Sequence, residues 1–314
     1  MNSVSIIICT YNRSASLRQT FESLCQLQPP AVDRWEILLI DNNSTDDTKD
    51  ICRQYQTRLP IRYIFEKQQG LSFARNRALD EAASDFIVFT DDDVDFDPAW
   101  LVRLLAAARA HPECIFFGGR IFPRNEIEPP AWMTKYSREL LSGITMHYDL
   151  GDTMRPLVKN ETAYGASMAF PKKAFANGLR FRVELGRIGK HMTVHEDVVL
   201  MQELIAAGGS GLYVPDAILY HRNAKNRLTE KYVRKWFIGA GITDVRLGKM
   251  EAGAHSLFGA PRYLWRQLTV GFIRFAFARV FASSGKWLPS EIGLAYTYGV
   301  ILEFQRRTKE GAKN

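Results

Sequence analysis

The stretch "FIVFTDDDVDFDPAWL" (Phe86–Leu101) passes from an apolar run into five carboxylates spread over seven positions: Asp91, Asp92, Asp93, Asp95 and Asp97. A short apolar run bounded by charge predicts a strand buried on both faces. Asp97 and Pro98 supply a helix N-cap and a first-turn proline, so a helix is expected through "AWLVRLLAAARA". The triple aspartate then falls in the strand-to-helix loop. On an extended chain Asp91 and Asp93 point to the same side, with Cα atoms about 6.5 Å apart. At an effective dielectric of ~20 they repel by about 2–3 kcal/mol. A solvated turn accommodates that cost. A divalent cation does so better, because hard cations take several carboxylate oxygens and bridge them to phosphates.

Working outward, three similar runs precede this one: "VSIIICT" (4–10), "WEILLID" (35–41) and "IRYIF" (61–65). Helical spacing lies between them, over 14–27, 46–57 and 71–83. Alternating strands and helices imply βαβ units and a mostly parallel sheet, and ligands of such sheets bind beyond the carboxyl ends of the strands. The four segments that follow the runs, "TYNR", "DNNSTDD", "EKQQGLSFARN" and "TDDD", are all polar and should gather on one edge. Further on, "CIFFGGRIF", "ETAYGASMAF" and "GLYVPDAILYH" read as strands, and "HEDVVLMQELIAAGG" (195–209) as an amphipathic helix. The intervening "PRNEIEPPAWMTKYSRELLSG" reads as a loop or short helix over the sheet's edge, a lid in character.

The 314 residues, 46% hydrophobic, suffice for a large core. The four cysteines form no C-x-x-C pair, so neither a zinc site nor a disulfide framework is suggested, and a reducing, cytoplasmic setting is expected. The amino terminus resembles neither a signal peptide nor a spanning helix. Charge is unevenly placed. From Arg222 onward there are 17 Lys or Arg against 6 Asp or Glu, whereas the whole chain carries only +7, so residues 1–221 are net acidic. Residues 229–314 read as helices. The segment "PRYLWRQLTVGFIRFAFARVFA" (261–282) is apolar but interrupted by Arg262, Arg266, Arg274 and Arg279. It falls short of a spanning helix and fits an interfacial one, peripheral on the inner face of a membrane, with its first three arginines in one arc and Trp, Phe, Ile and Val elsewhere. Packing on the body or on a second subunit, as in a homo-oligomer, fits it equally.

Taken in order and spacing, "SIIICTYNR", "ILLIDNNSTDDT", "GLSFARNRAL" and "FIVFTDDDV" resemble the nucleotide-binding half of the family 2 glycosyltransferases. The resemblance continues through "GASMAF" and "HEDVVL" to about His221. It implies an α/β fold of the GT-A type (Rossmann-like, a mostly parallel sheet flanked by helices) over residues 1–228, with 1–100 as nucleotide-binding half and 101–228 as acceptor half, followed by a helical extension over 229–314. It implies a nucleoside diphosphate sugar donor, UDP-linked by expectation, a glycan or lipid-linked acceptor, and Mn2+ or Mg2+ as cofactor. Thr10, Tyr11, Asn12, Asp41, Arg75, Asp91 and Asp92 would hold the nucleotide sugar, and Asp93 the metal. Asp197 would deprotonate the acceptor hydroxyl in an inverting, single-displacement transfer. His221 resembles an occasional additional metal ligand, and Gly165, Ala166, Ser167 and Glu196 the segments nearest the donor sugar and acceptor. Arg222, Lys225 and Arg227 would neutralise the departing diphosphate.

Plainer readings stand beside these. Ser44, Thr45 and Asp46 also suit the capping of the helix after them. Glu196 and Asp197 also suit the amino end of theirs, where negative charge is favoured. Arg75 also suits a solvated surface, as do Arg222, Lys225 and Arg227. The family often has Gly before the Glu-Asp pair, where this chain has His195. Two other classes are a nucleotidyltransferase of sugar activation, for which "CTYNRSAS" lacks the expected glycine-rich loop, and a non-catalytic nucleotide-sugar or membrane-binding module. No nucleic-acid reader motif accompanies the basic tail, so no nucleic-acid partner is expected.

Overall fold

The computed structural model describes residues 1–311 except 139, 159–160, 190, 252–254 and 282–284. The last residue of the interfacial segment expected over 261–282 thus lies outside the described residues. The chain divides into two compact units. The first comprises 1–124, 146–183 and 196–223, and the second 125–145, 184–195 and 224–314. The division at 223/224 lies close to the boundary expected at 228/229, but the second unit also draws in two earlier segments.

The first unit is built on a mixed sheet. Its strands are β1 (Ser3–Thr10), β2 (Arg34–Asp41), β3 (Ile61–Phe65), β4 (Phe86–Thr90), β5 (Val94–Phe96), β6 (Phe116–Asn125), β7 (Arg155–Pro156), β8 (Met168–Pro171) and, beyond two short strands of the second unit, β11 (Gly211–Asn223). The order is β3-β2-β1-β4-β8-β6-β11-β5, with β7 added to β11. The first four strands are parallel, and β8 joins β4 antiparallel. Ile6, Ile7 and Ile8 of β1 and Ile37–Ile40 of β2 are fully enclosed, as expected where helices cover both faces. The covering helices are α1 (Ser14–Leu24), α2 (Thr48–Tyr55), α3 (Leu71–Glu81), α4 (Trp100–Ala110) and, after two short helices of the second unit, α7 (Glu196–Ala206). Leu17, Phe21 and Leu24 recur at helical spacing on the buried stripe of α1. Each such side chain stabilises the fold by about 1.5–3 kcal/mol through burial.

Two local expectations change. The acidic stretch is not simply a strand-to-helix loop, because Val94–Phe96 forms β5, antiparallel to β11, before α4 begins. Asp97 Oδ1 accepts from the amide of Ala99, a turn that leaves Trp100 as the first helical residue. "ETAYGASMAF" is a strand only from Met168. Gly165–Ser167 is a 3₁₀ turn.

The second unit contains α5 (Ala131–Thr134), α6 (Ser142–Thr145), α8 (Glu230–Arg246), α9 (Arg262–Phe281), α10 (Leu288–Gly311) and two small strand pairs, β9 (Arg187–Ile188) with β10 (His191–Met192) and β12 (Ser256–Leu257) with β13 (Ala260–Pro261). The segment expected to be a lid instead lends Met133, Leu141 and Ile144 to a core with Leu228, Val233 and Leu288. α8 and α10 meet at glycine notches. A Cβ at Gly241 would lie 2.3 Å from the Tyr296 carbonyl oxygen, and one at Gly299 2.1 Å from that of Ile238, so the helices approach backbone to backbone. Among the described residues no helix is long and apolar enough to cross a membrane.

Candidate active site

The order 3-2-1-4 reverses direction at β1 and β4, so a switch point lies at their carboxyl ends. Thr10 stands opposite Asp41 in the register there. Asp41 is buried; its Oδ1 accepts from the Ser44 amide at 2.9 Å and its Oδ2 from the Tyr63 hydroxyl at 2.6 Å. Asn12 takes the left-handed region at φ 50°. Its Oδ1 accepts from the Thr45 amide at 2.7 Å, while its own amide donates to Ser44 Oγ. Asp46 accepts from the amides of both Ser14 and Thr48. Ser44, Thr45 and Asp46 therefore brace the loop after β1, beyond any capping. Tyr11, held on that loop, exposes its ring.

The triple aspartate resolves into distinct tasks. Asp91 Oδ2 and Asp93 Oδ1 lie 3.8 and 3.1 Å from His221 Nε2. Asp91, Asp93 and His221 each offer a ligand atom, all within 4.8 Å of one another. The alternation of side chains puts positions 91 and 93 on one side, and the pairing of His221 with Val94 in the β5–β11 ladder brings the imidazole beside them. Asp92 points the other way into the protein. Its Oδ2 accepts from the Thr10 hydroxyl at 2.7 Å and its Oδ1 from Arg13 at 2.8 Å. Burial pushes the Asp92 carboxyl up to about 6 even against the Arg13 charge. Arg13 spans the cluster, donating also to Asp93 Oδ2 at 2.7 Å, and Asp92 above all holds its guanidinium well above the ordinary range. Asp95 is paired with Arg124 and Arg222. The expected repulsion is thus relieved partly by built-in cations.

A second acidic pair faces this edge from α7. Arg75, which a plainer reading would place in solvent, is buried, and donates to Glu196 Oε1 at 2.7 Å while its other nitrogen lies 4.0 Å from Asp91 Oδ1. Burial works against its charge, but Glu196, Asp197 and Asp91 more than restore it, and its pKa is raised. Asp197 Oδ2 accepts from the Gly165 amide at 2.7 Å. A Cβ at Gly165 would lie 2.5 Å from Arg75 Nη2 and 3.0 Å from Asp197 Oδ2, so any side chain here must displace one of these groups. His195, just before the pair, has φ 71°, the left-handed region that glycine adopts most readily.

Other expected residues lie elsewhere. Ala166 and Ser167 are fully buried, and Ser167 Oγ accepts from Trp100 Nε1 at 3.1 Å inside the core. Arg222 donates to the carbonyls of Val94 and Ser16 and to the Thr20 hydroxyl, so it clamps β5 to α1 instead of reaching outward. Lys225 and Arg227 belong to the second unit, where the Lys225 amide donates to Glu126 and Arg227 donates to the Tyr232 hydroxyl. Three residues had no expected role. Arg13 was overlooked although it ends "TYNR", directly after a strand. Asn42 holds the loop before α3 through Gln68 and Gly70. Tyr63 anchors Asp41. Burial pushes the thiol of Cys9, beside the cluster, up to about 12.

The residues from 5 to 178 match the model of Glycosyl transferase family 2, more than half of the chain. The chain belongs to this family. It is accordingly a glycosyltransferase, and the nucleotidyltransferase reading falls away. Among its relatives is the succinoglycan biosynthesis protein ExoM of Rhizobium meliloti, 27% identical over 290 residues, covering 90% of this chain and 86% of that protein. Validoxylamine A glucosyltransferase of Streptomyces hygroscopicus subsp. jinggangensis is 36% identical over 106 residues, 33% of this chain and 25% of that one. Among solved structures, the mannosyltransferase PcManGT of Pyrobaculum calidifontis, in complex with GDP-Man and Mn2+, superposes with a TM-score of 0.59 at 16% identity, over 99% of this chain and 88% of that one. S. aureus TarS 1-349 in complex with UDP-GlcNAc gives 0.54 at 15% identity, over 99% and 92%. At such identities these likenesses establish the fold, α/β of the GT-A type.

Proposed function

We propose that this glycosyltransferase moves a sugar from a nucleoside diphosphate sugar to an acceptor hydroxyl with inversion, in the building of a polysaccharide or cell-surface glycolipid. The observation that carries the reading is the convergence, on one sheet edge, of the Asp91–Asp93–His221 trio and of Asp197, tied together through Arg75. Two carboxylates and an imidazole suit a divalent cation, and the nitrogen ligand favours Mn2+ over Mg2+. Bound there, the cation would supply positive charge to the donor's diphosphate. Thr10, Tyr11, Asn12 and Asp41 form the nucleotide side. Each Asp41 oxygen keeps a lone pair beyond the bond it already accepts, enough to receive an N–H of the base, and the Tyr11 ring offers an exposed apolar face.

Asp197 takes the hydroxyl proton. The Gly165 amide fixes its orientation, and a base in this role needs hydrogen-bond reach to the acceptor hydroxyl. Glu196 acts through Arg75, holding it between the two acidic groups. Relatives named for succinoglycan synthesis and glucosyl transfer support a glycan acceptor, and neighbours holding GDP-Man and UDP-GlcNAc support a nucleotide-sugar donor. A panel of UDP- and GDP-sugars, scored for hydrolysis with and without Mn2+, tests this. One donor consumed only with the metal is expected; no turnover of any donor under either condition contradicts it.

The helical unit suits an anionic membrane surface. α9 carries four arginines and no acidic residue. Ile273, Phe277, Val280 and Phe281 are each more than 60% exposed. At about 100° per residue, Val270, Ile273 and Phe277 share one arc with Arg262, Arg266 and Arg274 instead of lying opposite, so cationic and apolar groups face outward together. A two-fold pairing through this arc would set the same arginines against one another; an anionic lipid surface accepts both kinds of group.

A further inference from the structure

Both carboxylates of the Asp91–Asp93–His221 trio divide their oxygens in the same way. Asp93 Oδ1 lies 3.1 Å from His221 Nε2, while its Oδ2 accepts from Arg13 Nη2 at 2.7 Å. Asp91 Oδ2 lies 3.8 Å from that imidazole nitrogen, while its Oδ1 lies 4.0 Å from Arg75 Nη2. One oxygen of each therefore faces the imidazole, and an arginine stands against the other. Arg13 is the tighter of the two restraints. It is the N-cap residue of α1, and its Nη1 donates to Asp92 Oδ1 at 2.8 Å. Asp92 is buried, with its other oxygen accepting from the Thr10 hydroxyl. Swinging Arg13 out toward a diphosphate would break the ion pair of a buried carboxylate, which is strongly unfavourable. The planar guanidinium holds the two aspartates at once, as the point charge of a lysine does not.

We infer that Arg13 is a specificity-determining residue for the ion: by holding the outer oxygen of Asp93 it limits that carboxylate to one-oxygen ligation, and so selects a small cation such as Mn2+ or Mg2+ against Ca2+. The inference rests on the cation reading above, and adds to it which ion the site refuses. A small octahedral ion with ligands at about 2.0–2.1 Å is served by single oxygens from one or two carboxylates, water and phosphate filling the rest. Ca2+ takes about 6–8 oxygens at about 2.3–2.6 Å, and a carboxylate commonly gives it both of its own. With Oδ2 of Asp93 tied to Arg13, that second oxygen is withheld. Arg75 repeats the restraint at Asp91 more loosely.

The paramagnetic resonance signal of free Mn2+, recorded with the full chain and with Mg2+ or Ca2+ as competitor, gives all three affinities without donor or turnover. Ratios are the readout, because the charge lost with Arg13 acts on all three divalent ions alike. In Arg13→Met the Mn2+/Ca2+ affinity ratio is expected to fall about tenfold, the scale of one added carboxylate oxygen on calcium, with the Mn2+/Mg2+ ratio unchanged. Arg13→Met combined with Asp92→Asn also removes the buried charge that the arginine paired, so it keeps the test valid if the single variant folds poorly; the same fall is expected. An unchanged Mn2+/Ca2+ ratio in both variants, or an equal fall in the two ratios, overturns the inference. Absence of Mn2+ binding to the parent chain overturns the cation reading with it, so the two failures are told apart.

Discussion

The acidic rim of the first unit and the arginine arc of the second both concentrate charge of one sign, yet the fold treats them oppositely. At the rim, Asp92, Asp93 and Glu196 are buried and each meets a cation within 3.1 Å. On α9, Arg262, Arg266 and Arg274 have no ion-pair partner among the described residues, and the apolar groups beside them are exposed. Charge that a fold neutralises internally organises a site. Charge that it leaves bare beside exposed apolar surface is the ground of the proposed membrane contact.

Breaking the rim's chemistry should give the largest effect. Asp197→Asn is expected to lower transfer on the order of 10²- to 10⁴-fold, with donor affinity in Mn2+ unchanged; parent-like turnover in a steady-state assay would remove it from the role of base. Next comes the buried ion pair. Arg75→Met removes the ion pair that Glu196 makes with it and should cost about 3–5 kcal/mol, read as a lowered midpoint in urea. Gly165→Ala sharpens the same point at less cost to the fold, since its methyl group must displace Arg75 or Asp197; a fall in turnover on the order of 10² with a small change in melting temperature is expected.

The helical unit should respond to pH through Glu303. Burial alone would raise its pKa, but hydrogen bonds from Arg306 and Arg246 win and lower it. A depressed carboxyl contributes stability that is present above its ordinary value of 4.5 and is lost as pH falls through the lower folded value. Acid titration of stability should therefore decline below about pH 4.5, and Glu303→Gln should flatten that slope. The smallest effect concerns the bare arginines. Arg266→Gln and Arg274→Gln should each weaken binding to phosphatidylserine vesicles about fivefold and leave donor hydrolysis in solution untouched.

What the sequence disclosed follows the same division. β1 to β4 were legible because burial on both faces leaves an unbroken apolar run, and the carboxyl-edge rule then singled out the segments that carry Asp41, Asp91 and Asp93, whose individual roles came from the family resemblance. β5 was not legible, since three residues inside "DVDFD" carry no periodicity and gain their strand state from β11, more than a hundred residues away. The contribution of Met133 and Leu141 to the helical core is likewise a long-range packing fact. Arg13 and Arg222 show the limit within the site. A cation after a strand suits a ligand's phosphate as well as a neighbour's carboxylate or carbonyl, and only the fold shows Arg13 across Asp92 and Asp93 and Arg222 turned to Ser16 and Val94.

The central claim is that Asp91, Asp93 and His221 hold a divalent ion shared with a diphosphate. Calorimetric titration of UDP and GDP into the parent chain and into Asp93→Asn, each with and without Mn2+, tests it most directly. The account predicts that Mn2+ strengthens binding of one nucleotide at least about tenfold in the parent, a scale of one charge-assisted contact, and has no effect in the variant. Equal Mn2+-supported affinity in the two proteins would contradict it.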